Sequence, residues 1–171
     1  PLALVNKWRE AVKIDVFLSN PNQVCLESVM SYIAAMRQLL KEKSKEQALE
    51  KALEEVTLEE VRNAITQGQR QEYRDVTEMK GWVLHGLYCA FYALFSKKKF
   101  HYKLDNIIKK GGDTDTNACI AGALIGAQYG SDKMLTNETT ATNISILLEV
   151  DTKTEIPRPY EYSNLKLRDI L

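Results

Sequence analysis

Lys109-Lys110-Gly111-Gly112-Asp113-Thr114-Asp115-Thr116-Asn117-Ala118 runs straight into Cys119-Ile120-Ala121-Gly122-Ala123-Leu124-Ile125-Gly126-Ala127-Gln128-Tyr129-Gly130. A glycine pair lets the backbone bend sharply and come close to a ligand. Behind it, Asp113 and Asp115 stand two residues apart in a turn and can aim their carboxylates the same way, with the hydroxyls of Thr114 and Thr116 between and after them. Such an oxygen cluster suits a hard divalent cation of the Mg²⁺ or Mn²⁺ type, and the lack of a nearby His or paired Cys speaks against zinc. A helix starting near Thr116 turns its positive dipole end toward the cluster, so the carboxylates must outweigh it.

Three other readings use the same residue types. An EF-hand loop from Asp113 requires Gly at its sixth position and a carboxylate at its twelfth, where Ala118 and Leu124 stand instead. An aspartyl-nucleophile phosphatase places its first Asp at the end of an apolar strand, whereas Lys109-Lys110-Gly111-Gly112 precedes it here. A plain helix N-cap needs one Asp or Thr, and four in a row behind two glycines exceed that need. The glycines at 122, 126 and 130 each cost roughly 1 kcal/mol against Ala inside a helix. Close approach of another helix accounts for Gly122 and Gly126, and Gly130 reads as a C-terminal cap.

The run from Gly111 to Gly130 resembles the C-terminal signature of the ADP-ribosylglycohydrolase family. The likeness extends upstream through Gly81-Trp82-Val83-Leu84-His85-Gly86-Leu87-Tyr88-Cys89-Ala90-Phe91-Tyr92-Ala93-Leu94-Phe95, a short linker and Ile107-Ile108. The resemblance implies an all-α, multi-helix orthogonal bundle with two Mg²⁺ or Mn²⁺ ions in a central cleft, hydrolysing the bond between ADP-ribose and a modified acceptor. By position, Asp113, Asp115 and Thr116 resemble the C-terminal metal ligands. The counterpart acidic Thr-Asp-Asp cluster has no match, because the segment before residue 81 holds no Asp-Asp pair. The expectation is therefore one helical domain over 1–171, the C-terminal part of an incomplete fold. It would hold no catalytic residue of its own, be inactive alone, and depend on a missing N-terminal portion. Apolar surface left bare by that portion would favour self-association.

Around this centre the sequence reads as helices. Leu4, Val5, Trp8, Val12 and Val16 recur at helical spacing within residues 2–17. Asn20, Pro21 and Gln23 then read as N-cap, first helical position and capping-box partner of a helix whose face is Leu26, Val29, Ile33, Met36 and Leu40. In the family a Ser/Thr-His pair precedes that Pro; Asn20 stands in the place of the His, able to hydrogen-bond a ribose or phosphate but unable to carry a proton. Ser44 with Gln47 boxes a third helix to Val56, and Thr57 with Glu60 caps a fourth through Ile65. Gly81–Phe95 is apolar almost all round, the mark of a buried helix, with Met79, Trp82, Tyr88, Phe91 and Tyr92 in the core and His85 a satisfied core histidine. His101 reads as exposed, Asn143–Val150 as a helix, residues 156–160 as an extended connector, and residues 163–171 as a terminal helix or disordered.

The chain of 171 residues carries 23 basic and 23 acidic side chains and 44% hydrophobic residues. Zero formal charge suggests neither a nucleic acid nor a membrane surface as partner. Cys25, Cys89 and Cys119 lie far apart inside apolar helical patterns, which fits reduced core thiols in the cytoplasm. No apolar run approaches a membrane span of about 18 residues, and the sequons at Asn137 and Asn143 are read as incidental. Beside a hydrolase of ADP-ribosylated proteins, the sequence leaves open a non-catalytic ADP-ribose-binding module and a purely structural helical module.

Overall fold

A computed structural model of the chain describes residues 2–135, 138–150, 153–156, 158–159 and 163. Among these there are eight α-helices and no strand: α1 Trp8–Ser19, α2 Gln23–Leu39, α3 Lys45–Glu54, α4 Glu59–Arg70, α5 Val83–Phe95, α6 Phe100–Lys109, α7 Thr114–Leu135 and α8 Glu138–Glu149. The all-α expectation holds. The chain divides into two compact units, Pro1–Gln128 and Tyr129–Leu171.

The first unit is built around α5. Leu84 through Phe91, with Ala93 and Leu94, are all buried, as an all-round apolar helix requires. Helix α4 packs on it at Gly68, where an added Cβ would lie 2.6 Å from the Tyr88 carbonyl oxygen and 2.9 Å from the Tyr92 nitrogen. Gly68→Ala gains about 1 kcal/mol of helix propensity but drives a methyl group into backbone that cannot swing aside. We expect net destabilisation, read as a melting temperature several degrees lower; an unchanged value would show that α4 slides freely on α5.

Two apolar clusters form. The larger joins α2, α3, α4, α5, α6 and the start of α7, and the smaller packs Ala3, Trp8, Val12 and Val16 against Leu26, Met30, Ile33 and Ala34. Tyr32 and Met36 of α2 pack against both.

Several local expectations are corrected. Residues 2–17 are not one helix: a 3₁₀ turn at Leu2–Leu4 precedes α1, and Arg37 Nη1 donates to the carbonyls of Ala3 (2.6 Å) and Val5 (3.0 Å). The turn shifts the helical phase, so Leu4 and Val5 face solvent while Trp8, Val12 and Val16 are buried as expected. Leu40 is exposed just past the end of α2.

The Ser44–Gln47 capping box forms as expected, with both reciprocal bonds at 3.2 Å. Thr57, by contrast, does not cap α4. Its hydroxyl donates to Glu27 Oε1 (2.6 Å), and the Thr57 and Leu58 backbone N–H groups both donate to Glu27 Oε2 (2.8 Å). A buried carboxylate from α2 thus serves the entry of α4, and that helix runs on to Arg70.

The linker expected between Phe95 and Ile107 is helical from Phe100 on, as part of α6, with Leu104 and Ile107 turned to the core and His101 half-buried against Tyr102. Lys103 Nζ donates to the Leu94 carbonyl (3.4 Å) near the end of α5; burial, with Lys45 nearby, pulls its pKa down to about 8. Met79 is exposed rather than core. Of the cysteines, Cys89 is buried, with burial pushing its pKa up to about 11, Cys25 is half-buried, and Cys119 is exposed and no core thiol.

In the second unit, residues 143–149 lie in α8 as expected. Pro157, Tyr160 and residues 164–171 of the C-terminal readings fall outside the described residues. At Gly130, φ is 73° and ψ is 161°, a conformation open essentially to glycine alone; it breaks α7 internally where a cap was expected. No helix among the described residues is long and apolar enough to cross a membrane.

Candidate functional site: an acidic corner beside a two-part cleft

Helix α6 ends at Lys109, and two successive positive φ angles, 79° at Gly111 and 73° at Gly112, turn the chain into α7. The glycine pair was expected to make room for a ligand. It makes room for the protein's own backbone: a Cβ on Gly112 would sit 2.0 Å from the Val76 carbonyl oxygen, and one on Gly111 3.2 Å from Thr77 Cγ2. The 76–77 segment is itself pinned, since Asp75 Oδ1 accepts from the Thr77 N–H (2.8 Å) and hydroxyl (2.7 Å), and Val76 is buried.

The start of α7, at Thr114, lies two residues earlier than expected, so Asp113 immediately precedes the helix and its carbonyl accepts from Asn117 N (2.9 Å). Asp115 and Thr116 lie exposed in the first turn, while Asp113 is half-buried. Asp115 is held below the ordinary carboxylate range, first by hydrogen bonding with the Asp113 side chain and then by the backbone N–H groups of Asp115 and Thr116. The helix dipole, expected to oppose a cation, here favours these anions. Part of Asp115's capacity is spent on helix amides and part faces Asp113.

Lys110 fixes the corner from the other side. Its Nζ donates to the Tyr88 hydroxyl (3.0 Å) and lies 4.0 Å from the centre of the Tyr92 ring, a cation–π placement. Burial lowers its pKa. His85 is buried, its Nε2 3.0 Å from the Glu78 carbonyl and its Nδ1 accepting from Arg74 Nε at 3.5 Å. Burial depresses its pKa more than the Glu78 bond raises it, which leaves it neutral and structural.

The N-cap of α2 is Asn22, not Asn20: its side chain accepts from the Cys25 N–H at 2.8 Å. Pro21 holds Asn20 out of the helix, where it caps the C-terminus of α1 by donating to the Val16 carbonyl (2.8 Å). That leaves Asn20 on the wall of an open cleft of about 390 Å³, with Asp15, Ser19, Asn22, Gly81 and Trp82. Val29, Val83 and Ile120 are common to this cleft and to a smaller recess of about 190 Å³, completed by Ser28, Tyr32 and Leu87.

Asp113 Oδ2 lies 4.0 Å from where a Gly81 Cβ would stand, so the acidic corner borders the cleft through Gly81. Asp115 and Thr116 do not line it. Sequence reasoning reached Asn20 and the corner but missed Asp15, Ser19 and Ser28, polar residues on amphipathic helices that periodicity alone cannot separate from solvated or core positions.

Among the described residues no three His, Cys, Asp or Glu side chains group closely enough to hold a metal ion. Two carboxylates two residues apart, Asp113 half-buried and Asp115 exposed, nevertheless fit one side of an oxygen-lined Mg²⁺ or Mn²⁺ centre, which takes one or two carboxylates and completes its shell with water and substrate oxygens.

The family model for ADP-ribosylglycohydrolase matches residues 1–141. A protein of Acanthamoeba polyphaga mimivirus with the provisional name ADP-ribosyl glycohydrolase is 41% identical over 49 residues, 29% of this chain. The matched segment spans 15% of the length of that curated relative. No solved structure matches the chain significantly.

Proposed function

Because this chain belongs to the ADP-ribosylglycohydrolase family, we propose that its acidic corner is one side of a divalent-metal centre for hydrolysing the N- or O-glycosidic bond between ADP-ribose and a modified acceptor. The observation that carries the reading is the placement of Asp113 just before α7 and Asp115 in its first turn, at a corner bent by Gly111 and Gly112. Carboxylates two residues apart at one turn offer oxygens to a single hard cation.

In that reading Asp113 and Asp115 supply carboxylate oxygens and Thr116 a hydroxyl. Bound Mg²⁺ or Mn²⁺ supplies Lewis acidity toward ribose hydroxyls and a water of lowered pKa. Asn20 offers its amide to a sugar hydroxyl or phosphate at the cleft wall, and Gly81 keeps cleft and corner adjacent without a side chain between them. No described side chain beside the corner is placed as a general base. The remaining ligands and the base come from polypeptide outside these 171 residues, the N-terminal portion of one domain to which residues 1–171 contribute the C-terminal part. We place the protein in the cytoplasm, on ADP-ribosylated proteins.

Manganese should raise the melting temperature by a few degrees, as any ligand preferring the native state must. The Asp113→Asn/Asp115→Asn double variant should lose that rise. The isolated chain should release no ADP-ribose from a modified protein in Mg²⁺ or Mn²⁺. A metal response retained by the double variant would move the site elsewhere, and robust turnover by the chain alone would refute the incomplete-site reading.

Asn20 favours a second reading. Without a proton-carrying group at that position the chain binds ADP-ribose and does not hydrolyse it, which calorimetric titration of the complete gene product against its turnover separates. Ile14, Phe17 and Leu18 form an exposed apolar stripe at helical spacing on α1, the kind of surface from which self-association is proposed.

A further inference from the structure

We propose that a separate cavity, walled by α1, α2 and α3, is a binding site for a dianionic phosphoryl group. Its volume is about 290 Å³, and it shares no residue with the acidic corner or with the cleft at Asn20. Four cations and two carboxylates line it: Arg9 from α1, Arg37 and Lys41 from α2 and the turn after it, and Lys51, Glu54 and Glu55 from α3 and its end.

Both carboxylates are already answered. Arg9, stacked 4.3 Å over the Trp8 ring, donates from Nε and Nη2 to Glu55, with Nε 3.0 Å from Oε1. Lys51 Nζ donates to Glu54 Oε1 at 2.7 Å. The remainder is positive, because Arg37 and Lys41 have no carboxylate partner among the described residues. Arg37 is held instead by the Ala3 and Val5 carbonyls, which both accept from Nη1. Its Nε and Nη2 stay uncommitted among the described residues. That anchoring orders the guanidinium before any ligand arrives and so lowers the entropic cost of binding.

A single carboxylate would answer one of the two free charges. A phosphoryl dianion answers both, offering the guanidinium and the ammonium separate oxygens on one centre. The whole chain has zero formal charge, so the positive field belongs to this cavity rather than to the surface at large, which favours a compact anion over a long polyanion. Free phosphate and a phosphate ester share this chemistry. The site stands whether or not the acidic corner binds a metal.

The test titrates the ¹⁵N-labelled chain with sodium phosphate at about pH 8, where phosphate is largely dianionic. Ionic strength is held constant with sodium chloride, since salt screens exposed charges. The indole N–H signal of Trp8, which lines the cavity, and the Arg37 Nε–H signal should move along a saturable millimolar curve. The Trp82 indole, at the other cleft, should stay in place. Lys41 is exposed and the Glu54 side chain is 48% exposed, so substitutions at both leave the fold intact. Lys41→Glu should weaken phosphate at least roughly tenfold, and Glu54→Gln, which removes a negative charge and releases Lys51, should tighten it roughly threefold. O-phosphoserine binding more tightly than phosphate would support an ester-linked group as the occupant, and the reverse order would support free phosphate. Shifts that stay linear, a Trp82 signal that moves as far as Trp8, native affinity in Lys41→Glu, or weaker binding by Glu54→Gln would each overturn the inference.

Discussion

Gly112→Ala should lower the melting temperature of the chain by roughly 10 °C. A side chain at φ 73° costs about 1–3 kcal/mol in backbone strain. The new methyl carbon would stand 2.0 Å from the Val76 carbonyl oxygen, and relieving that overlap by moving two backbone segments adds about 1–3 kcal/mol. For a chain of this length each kcal/mol is worth about 2–4 °C. Gly111→Ala, whose Cβ meets a movable methyl at 3.2 Å, should cost the strain alone and shift the transition by less. If the two variants melt together near the native temperature, the corner is not locked by residues 76–77 and the rigid geometry assigned to Asp113 and Asp115 goes with it.

Glu27→Ala should be comparably damaging. The carboxylate accepts from the backbone of Thr57 and Leu58, the Thr57 hydroxyl and Gln23 Nε2 (2.8 Å), and truncation leaves these four donors without their acceptor. Hydrogen bonds to a charged group contribute about 1.5–3 kcal/mol each and are not additive, so a loss of roughly 4 kcal/mol is expected. The acid limb carries a second signature. Burial pushes Glu27 upward, but the bonds from Gln23, Leu58 and Thr57 outweigh it and its pKa is lowered in the folded state. Its contribution is therefore fully present above the unfolded glutamate value of about 4.3 and is lost as pH falls through the lower folded value. Glu27→Gln should flatten that part of the stability–pH curve. An unaltered acid slope would show that Glu27 carries no charge in the native state.

What the sequence disclosed depended on how far apart the partners stood. Ser44 and Gln47 are three residues apart, and their reciprocal box appears as read. Thr57 and Glu60 have the same spacing and look alike on paper, yet the hydroxyl belongs to Glu27, thirty residues upstream, which no local pattern contains. Asn20 and Asn22 flank Pro21 symmetrically, and only the bond to Cys25 tells which one caps.

At the corner, the glycine pair announced positive φ and the Asp-Thr-Asp-Thr run announced oxygen chemistry. That Gly112 gives way to Val76 rather than to a ligand required the fold. Helix α6 was overlooked because the Lys97-Lys98-Lys99 run hid the amphipathic spacing of Leu104 and Ile107 behind it. Ser28 was illegible for the opposite reason: a serine in an apolar helix looks like any other until its hydroxyl is seen without a partner.

Tyr32 and Met36 face both apolar clusters, which makes α2 a party wall. Neither side can come apart without stripping cover from the same two side chains, so Pro1–Gln128 should melt as one cooperative body. Amide hydrogens of α1 and α5 should then exchange with solvent through a common opening rather than in sequence.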